Sequence, residues 1–158
     1  SPFVRVVGAR RGHAMQPWVS LAADPASPSA LVTEALRALE GQAELADAVA
    51  LGMSHGRPFT DPADRWVFDA VLPFAGPDHE WVLVVALHRA KAPELVVRAL
   101  AQVGSVAAVP ALRALNGKYD AEQAVVSIQE RAGGARGAVS LAAGGAGGLA
   151  LSEDPTSR

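Results

Sequence analysis

The chain contains no cysteine. Disulfides, thiolate metal sites and cysteine nucleophiles are therefore excluded. Aromatic residues are also scarce, with four Phe, three Trp and one Tyr. The apolar half of the sequence consists mainly of Ala, Val and Leu. Such small side chains suit close helix-on-helix packing better than the interior of a β-sandwich, and alanine has the highest helix propensity. Lys91 and Lys118 are the only lysines among 14 basic residues, and Ile128 and Asn116 are each the single residue of their type. That bias is typical of a GC-rich bacterial genome. Basic charge is not in excess, since the formal net charge is -2. A phosphate-neutralising surface is therefore not expected, nor is a nucleic-acid partner. The one local excess, Arg5, Arg10 and Arg11, reads as a solvated arm. No apolar run approaches the roughly 18 residues of a membrane span. The opening SPFVRVVGARRG lacks a signal peptide's order of charge, apolar run and cleavage site. The expected location is the cytoplasm, away from membranes. Opening on Ser1 rather than Met also fits a processed product or a fragment.

What is present is a chain long enough for one domain with a proper core. Residues 1–27 carry no helical pattern. Phe3-Val4-Arg5-Val6-Val7 is short, rich in valine and bounded by Gly8, as a strand would be. Gly12, Pro17, Pro25 and Pro28 then predict an irregular wrap, pinned to the body by Trp18 and Val19. From Ser27-Pro28 onward the apolar spacing becomes helical. Ser27 suits the cap and Pro28 the first helical position. Seven helices are predicted, near 29–40, 42–54, 63–75, 79–91, 94–103, 106–115 and 119–131. Pro73 should kink or end the third. The fourth carries Trp81, Val84, Val85 and Leu87 on more than one face and should be central. Leu83, Val84, Leu87, Leu100, Val109, Leu112 and Val125 are the expected interhelical contacts. The short connections make consecutive helices antiparallel neighbours.

After Arg131 the composition turns to Gly and Ala. Val139 and Leu141 alternate in one piece, Leu149 and Leu151 in another, and AGGAGG lies between them. This predicts a β-hairpin over 138–152, against the competing expectation of a flexible tail. A lone hairpin is marginal in water, so it should pack on the body or on residues 3–7. The predicted partner-binding residues are therefore Phe3, Val4, Val6, Val139, Leu141, Leu149 and Leu151, whose free edge could accept a partner strand.

Gly104, then Val109-Pro110-Ala111-Leu112 and Leu115, resembles the first helix of a HEAT-like repeat of the phycobilisome-lyase type. Glu94-Leu95-Val96-Val97-Arg98-Ala99-Leu100 resembles a second helix with its valine-arginine pair. Tyr119 to Arg131 resembles the next second helix but lacks that arginine. The likeness is best over residues 94–131. Pro73 precedes Pro110 by 37 residues, a spacing compatible with such repeats. The loop HGRPFTDP and the tryptophans depart from the pattern. The resemblance implies an all-α fold: a short α-solenoid of antiparallel helix pairs over residues 28–131. An N-terminal extension (1–27) and a Gly/Ala-rich tail (132–158) flank it, with a small β element formed by the tail and the N-terminal strand.

The residues that could carry chemistry do not assemble into a site at the level of sequence. His79-Glu80 is the best metal candidate, but His88 lies about half a turn round the helix from His79, and one pair falls short of a ligand set. Asp78 and Glu80 also suit a helix N-terminus. Asp64, Arg65 and Asp69 beside Trp66 could hold a cationic ligand, as in HEAT-like DNA glycosylases, but those also need a basic groove that this chain does not show, and a solvated face with Trp66 in the core is the favoured reading. His13 after Arg10-Arg11-Gly12 lacks phosphate-loop spacing, Ser54-His55 has no nucleophile elbow, and the late glycines precede no helix. No catalytic, cofactor or metal residue is assigned. The expected function is a non-catalytic interaction or scaffold module with a protein partner or a second copy of itself. The alternative is a HEAT-like subunit of a chromophore-lyase type or another enzyme-regulatory subunit. A lyase should show an apolar groove with convergent Arg or Asp and bind a tetrapyrrole; a scaffold should show an exposed patch without convergent titratable groups.

Overall fold

The structure, a computed structural model, describes residues 15–143, the side chains of 135–143 excepted. Eight α-helices follow one another: α1 (Gln16–Ala23), α2 (Ser29–Ala38), α3 (Glu44–Ser54), α4 (Val67–Ala70), α5 (Glu80–Ala86), α6 (Pro93–Val103), α7 (Val109–Arg113) and α8 (Ala121–Ala143). Short 3-10 turns at Pro62–Asp64, Leu72–Phe74, Pro77–His79, Val106–Ala108 and Lys118–Asp120 lie between them. No strand occurs among the described residues, so the described part is all-α. No helix there is long and apolar enough to cross a membrane.

Proline explains several differences from the sequence-based expectation. The irregular wrap up to residue 27 is corrected, because α1 occupies its second half. Pro17 falls in the first turn of α1, where its missing N–H removes no helical bond. Pro25 comes just after the C-cap Asp24. Trp18 and Val19 are buried, as expected. The third predicted helix is broken. Pro73 sits inside the 3-10 turn Leu72–Phe74, and α4 is reduced to four residues. Pro110 is not in mid-helix. It lies in the first turn of α7, after the 3-10 turn Val106–Ala108. The N-cap of α2 is Pro28, and the Ser27 side chain makes no cap bond there.

The predicted hairpin is corrected too. α8 runs to Ala143, so residues 138–142 are helical and the strand carrying Val139 and Leu141 does not form. Extending an existing helix needs no new nucleus, and the segment is rich in alanine. Alternation over five positions is too short a signal to outweigh that. Phe3, Val4, Val6, Leu149 and Leu151 lie outside the described residues.

Each helix packs mainly on those close to it in sequence. α1 lies against α2 and α3, α3 against α4 and α5, α5 against α6, and α8 against both α6 and α7. The 3-10 turn Pro62–Asp64 touches α2, and the turn Leu72–Phe74 touches α6. One core runs through these contacts, with Leu36, Leu45, Phe68, Leu83, Leu100 and Ile128 fully buried. Of the expected core residues, Leu83, Leu87, Leu100, Val109, Leu112 and Val125 are buried, while Val84 is partly covered. Two glycines permit close approach. A Cβ on Gly52 would lie 2.5 Å from the Phe59 ring, and one on Gly104 would lie 2.6 Å from the Leu100 carbonyl oxygen.

Candidate functional site

Arg65, Asp69 and Glu80, singled out in the sequence, bind the backbone of a neighbouring segment, and so do Arg57, Arg89 and Arg131. The helix-joining loops explain why. Helix ends leave amides and carbonyls without intrahelical partners, and these must find others. Arg57, just past α3, donates through Nη2 to the carbonyls of Asp24 (2.7 Å) and Ser27 (3.0 Å), in the loop between α1 and α2. Arg89, just past α5, donates to the carbonyls of Phe59 and Pro58, just past α3. Arg131 on α8 donates to the carbonyls of Ala101 and Gly104 at the end of α6. Arg65 Nε in turn donates to the Arg89 carbonyl at 2.7 Å. Asp69 accepts the amides of Lys91 (2.9 Å) and Ala92 (3.1 Å), just ahead of α6.

These contacts dissolve the proposed metal and base-binding constellations. His79 Nδ1 accepts the Gly76 amide at 2.9 Å, so its ring proton resides on Nε2, which donates to Asp47 at 2.7 Å. Glu80 accepts from the amide and the hydroxyl of Ser105 at 2.9 Å. The pair is thus divided between two neighbours, α3 and the loop after α6. Among the described residues no three His, Asp or Glu side chains form a group able to hold a metal. The expected solvated face is corrected in part: Asp64 is buried and Asp69 half-buried, whereas Arg65 is exposed. Trp66 packs on the core with the Arg37 guanidinium 4.1 Å from its ring centroid. Ser54 donates to the Leu51 carbonyl and lies at an exposed helix end. His13, Arg10 and Arg11 lie outside the described residues.

Asp64 is the one buried charged residue among those described, 3% exposed. Its Oδ1 accepts the Thr33 hydroxyl at 2.8 Å, joining α2 to the turn Pro62–Asp64. Burial pushes its carboxyl above the ordinary aspartate range, and Asp61 adds to the rise. The Thr33 hydroxyl, Arg57 and Arg37 pull the other way. Position 64 is a buried joint between segments, closed off from solvent.

Two surface concavities are lined by described residues. One, of about 210 Å³, lies between α6 and α8 and is bordered by Arg98, Tyr119, Asp120 and Gln123. Tyr119 and Asp120 hold left-handed φ values of 59° and 60°. The other is an open depression of about 390 Å³ between the end of α3 and the outer side of α5. Met53, Pro58 and Val85 form its apolar lining, Arg57 and Arg89 its basic side. Trp81 stands at it with 66% of its surface exposed. The sequence placed Trp81 on a helix expected to be central without counting it among the interhelical contacts, and its side chain is exposed. Its neighbours Val82 and Leu83 are the buried ones. Position 81 starts an outward stripe, 81, 85, 89, at one-turn spacing. The Trp81 depression is the candidate site, because an exposed tryptophan is rare and interface anchors are enriched in Trp and Arg. It was missed because periodicity cannot orient a helix that is apolar on several sides.

No family model, no curated protein and no solved structure matches this chain.

Proposed function

We propose that the chain is a short α-solenoid of HEAT-like type, working in the cytoplasm as a non-catalytic module that binds another protein. The observation that carries this reading is the exposed indole of Trp81 beside the apolar wall of Met53, Pro58 and Val85. A soluble surface gains nothing from a wet tryptophan, whereas a partner that covers it gains a large buried area. The repeat architecture draws support from the order of packing. α1, α3 and α5 follow one another in one row, while α6 and α8 adjoin in a second. Arg57 and Arg89, 32 positions apart, make the same backward contact to the loop two helices earlier. One pair cannot bury its apolar face alone, so such pairs stack.

The experiment is affinity capture with the full chain from the cells that make it, run beside surface variants that melt like the wild type. A protein retained by the wild type and lost with one surface variant supports the module. Turnover of a small molecule with no protein retained overturns it.

One observation favours the second reading, a subunit of chromophore-lyase type: two arginines flank an apolar depression. Against it, the depression is shallow, and both guanidiniums already donate to carbonyls. Titration with a linear tetrapyrrole, followed by absorbance, separates the two. A saturable spectral change lost in Trp81→Ala would favour the lyase reading.

A further inference from the structure

We propose that the Trp81 depression docks an acidic segment of a partner protein, an apolar side chain packing on the Trp81 indole and neighbouring carboxylates facing Arg57 and Arg89. This rests on the interaction-module reading and names the chemistry of the partner. Among the described residues Arg37–Glu40 is an ion pair and His79–Asp47 a hydrogen bond of the neutral imidazole, so neither arginine of the depression has a carboxylate partner there. Carbonyl oxygens satisfy hydrogen bonds but do not cancel a unit charge. Both guanidiniums are fixed by those bonds and by the Phe68 ring, 4.7 Å from Arg89. Two immobile positive charges therefore stand beside an apolar wall on a chain whose net charge is -2.

That arrangement selects its occupant. A basic segment is repelled, and a purely apolar one leaves both charges beside a surface that water has left. An acidic segment with a Leu or Phe anchor satisfies both features. The chain's own N-terminus, with Arg5, Arg10 and Arg11, carries the wrong sign. The depression is open rather than a closed cleft, so a single anchor residue and a modest affinity are expected. The carboxylates contribute mainly on-rate and orientation, and their share falls with salt.

The test uses the full chain with its tryptophan indole N–H groups labelled for NMR, the Trp81 signal being assigned by its loss in Trp81→Ala. The probes are a short peptide alternating Leu and Phe with Glu, and the same peptide with Lys at every Glu. The expected result is a saturable shift of the Trp81 indole by the Glu peptide alone, weaker at high salt. Calorimetry should show affinity for that peptide falling on the order of tenfold in Trp81→Ala, with melting unchanged. Val85→Lys, a second variant at the same wall, should weaken it too. Equal shifts by both peptides, or a shift by neither, overturn the inference. So does a Trp81 shift that depends on protein concentration without peptide, or one produced by removing residues 1–14, since either gives the depression another occupant. Any of these leaves the wider module reading intact if capture still yields a partner that a variant elsewhere on the surface abolishes. Turnover of a small molecule with no protein retained by the wild type would overturn both.

Discussion

Replacing Arg89 with methionine isolates what its guanidinium does, because the apolar stem keeps its volume while the charge and all donors go. The guanidinium donates to the Phe59 carbonyl at 2.5 Å and to the Pro58 carbonyl at 3.3 Å. The first is a short charged hydrogen bond, worth about 1.5–3 kcal/mol. The second is long and contributes little. The stacking over Phe68 adds about 0.5–1 kcal/mol at a partly exposed position. The loss is also not refunded by water, since Phe59 is buried and held at a left-handed φ of 52°. Arg89→Met should therefore destabilise by about 2–4 kcal/mol. In a chain of this length that lowers the midpoint of thermal melting by roughly 6–12 °C. The assay is urea and thermal unfolding followed by far-ultraviolet circular dichroism. Arg89→Lys keeps the charge but not the planar fork, and should recover less than half of the loss. A loss below about 0.5 kcal/mol, the range of an ordinary surface change, would show that the guanidinium does not fasten α5 to the loop after α3. So would a Lys variant as stable as the wild type.

Three further outcomes follow from the packing and the buried carboxyl. Leu100→Ala, in the middle of α6 and fully buried, should cost about 2–5 kcal/mol in denaturant melts, and a change under about 0.5 kcal/mol would put the wrong face of α6 in the core. Gly104→Ala puts a Cβ 2.6 Å from the Leu100 carbonyl oxygen of the same helix and 3.3 Å from Ile128 of α8, so the C-terminal turn of α6 must shift; a loss of about 1–3 kcal/mol is expected, and wild-type stability would show that the approach is not tight. Asp64 has its carboxyl raised in the folded chain by burial, so the folded state holds a proton that the unfolded state releases first. Its contribution to stability is therefore full below the ordinary aspartate pKa and lost as pH rises through the folded value. Asp64→Asn lacks that loss, so its stability relative to wild type should improve from acid toward neutral pH; a difference independent of pH would remove the buried-carboxyl account.

The helical core was legible because its signals are redundant. Pro93 at the start of α6, Val96, Val97 and Leu100 along one face, and Gly104 after its end all mark the same element. Where one residue type carries two meanings, the sequence misleads. Pro17 and Pro110 each begin a helix rather than interrupt one, since proline costs nothing in a first turn and much in the middle. The position of the other end decides which applies, and that end is set by packing. Val139 and Leu141 failed for a related reason. Their alternation fits a strand, but an alanine-rich segment already joined to a packed helix extends that helix at little cost.

The candidate site was illegible for a reason specific to α5. Its residues Trp81 to Ala86 are apolar without interruption, so no polar face marks the outside. Which side is buried depends on where α3 and α6 approach. They cover Val82, Leu83 and Ala86, leaving the 81, 85, 89 stripe outside. The same stripe ends in Arg89, whose guanidinium reaches back across the depression to the loop after α3. Thus one side chain both fastens consecutive segments and charges the wall beside the exposed indole. In a stack of short helices the contacts that hold neighbours together necessarily line the grooves between them. Binding chemistry can therefore arise from residues that local sequence reading assigns to structure alone.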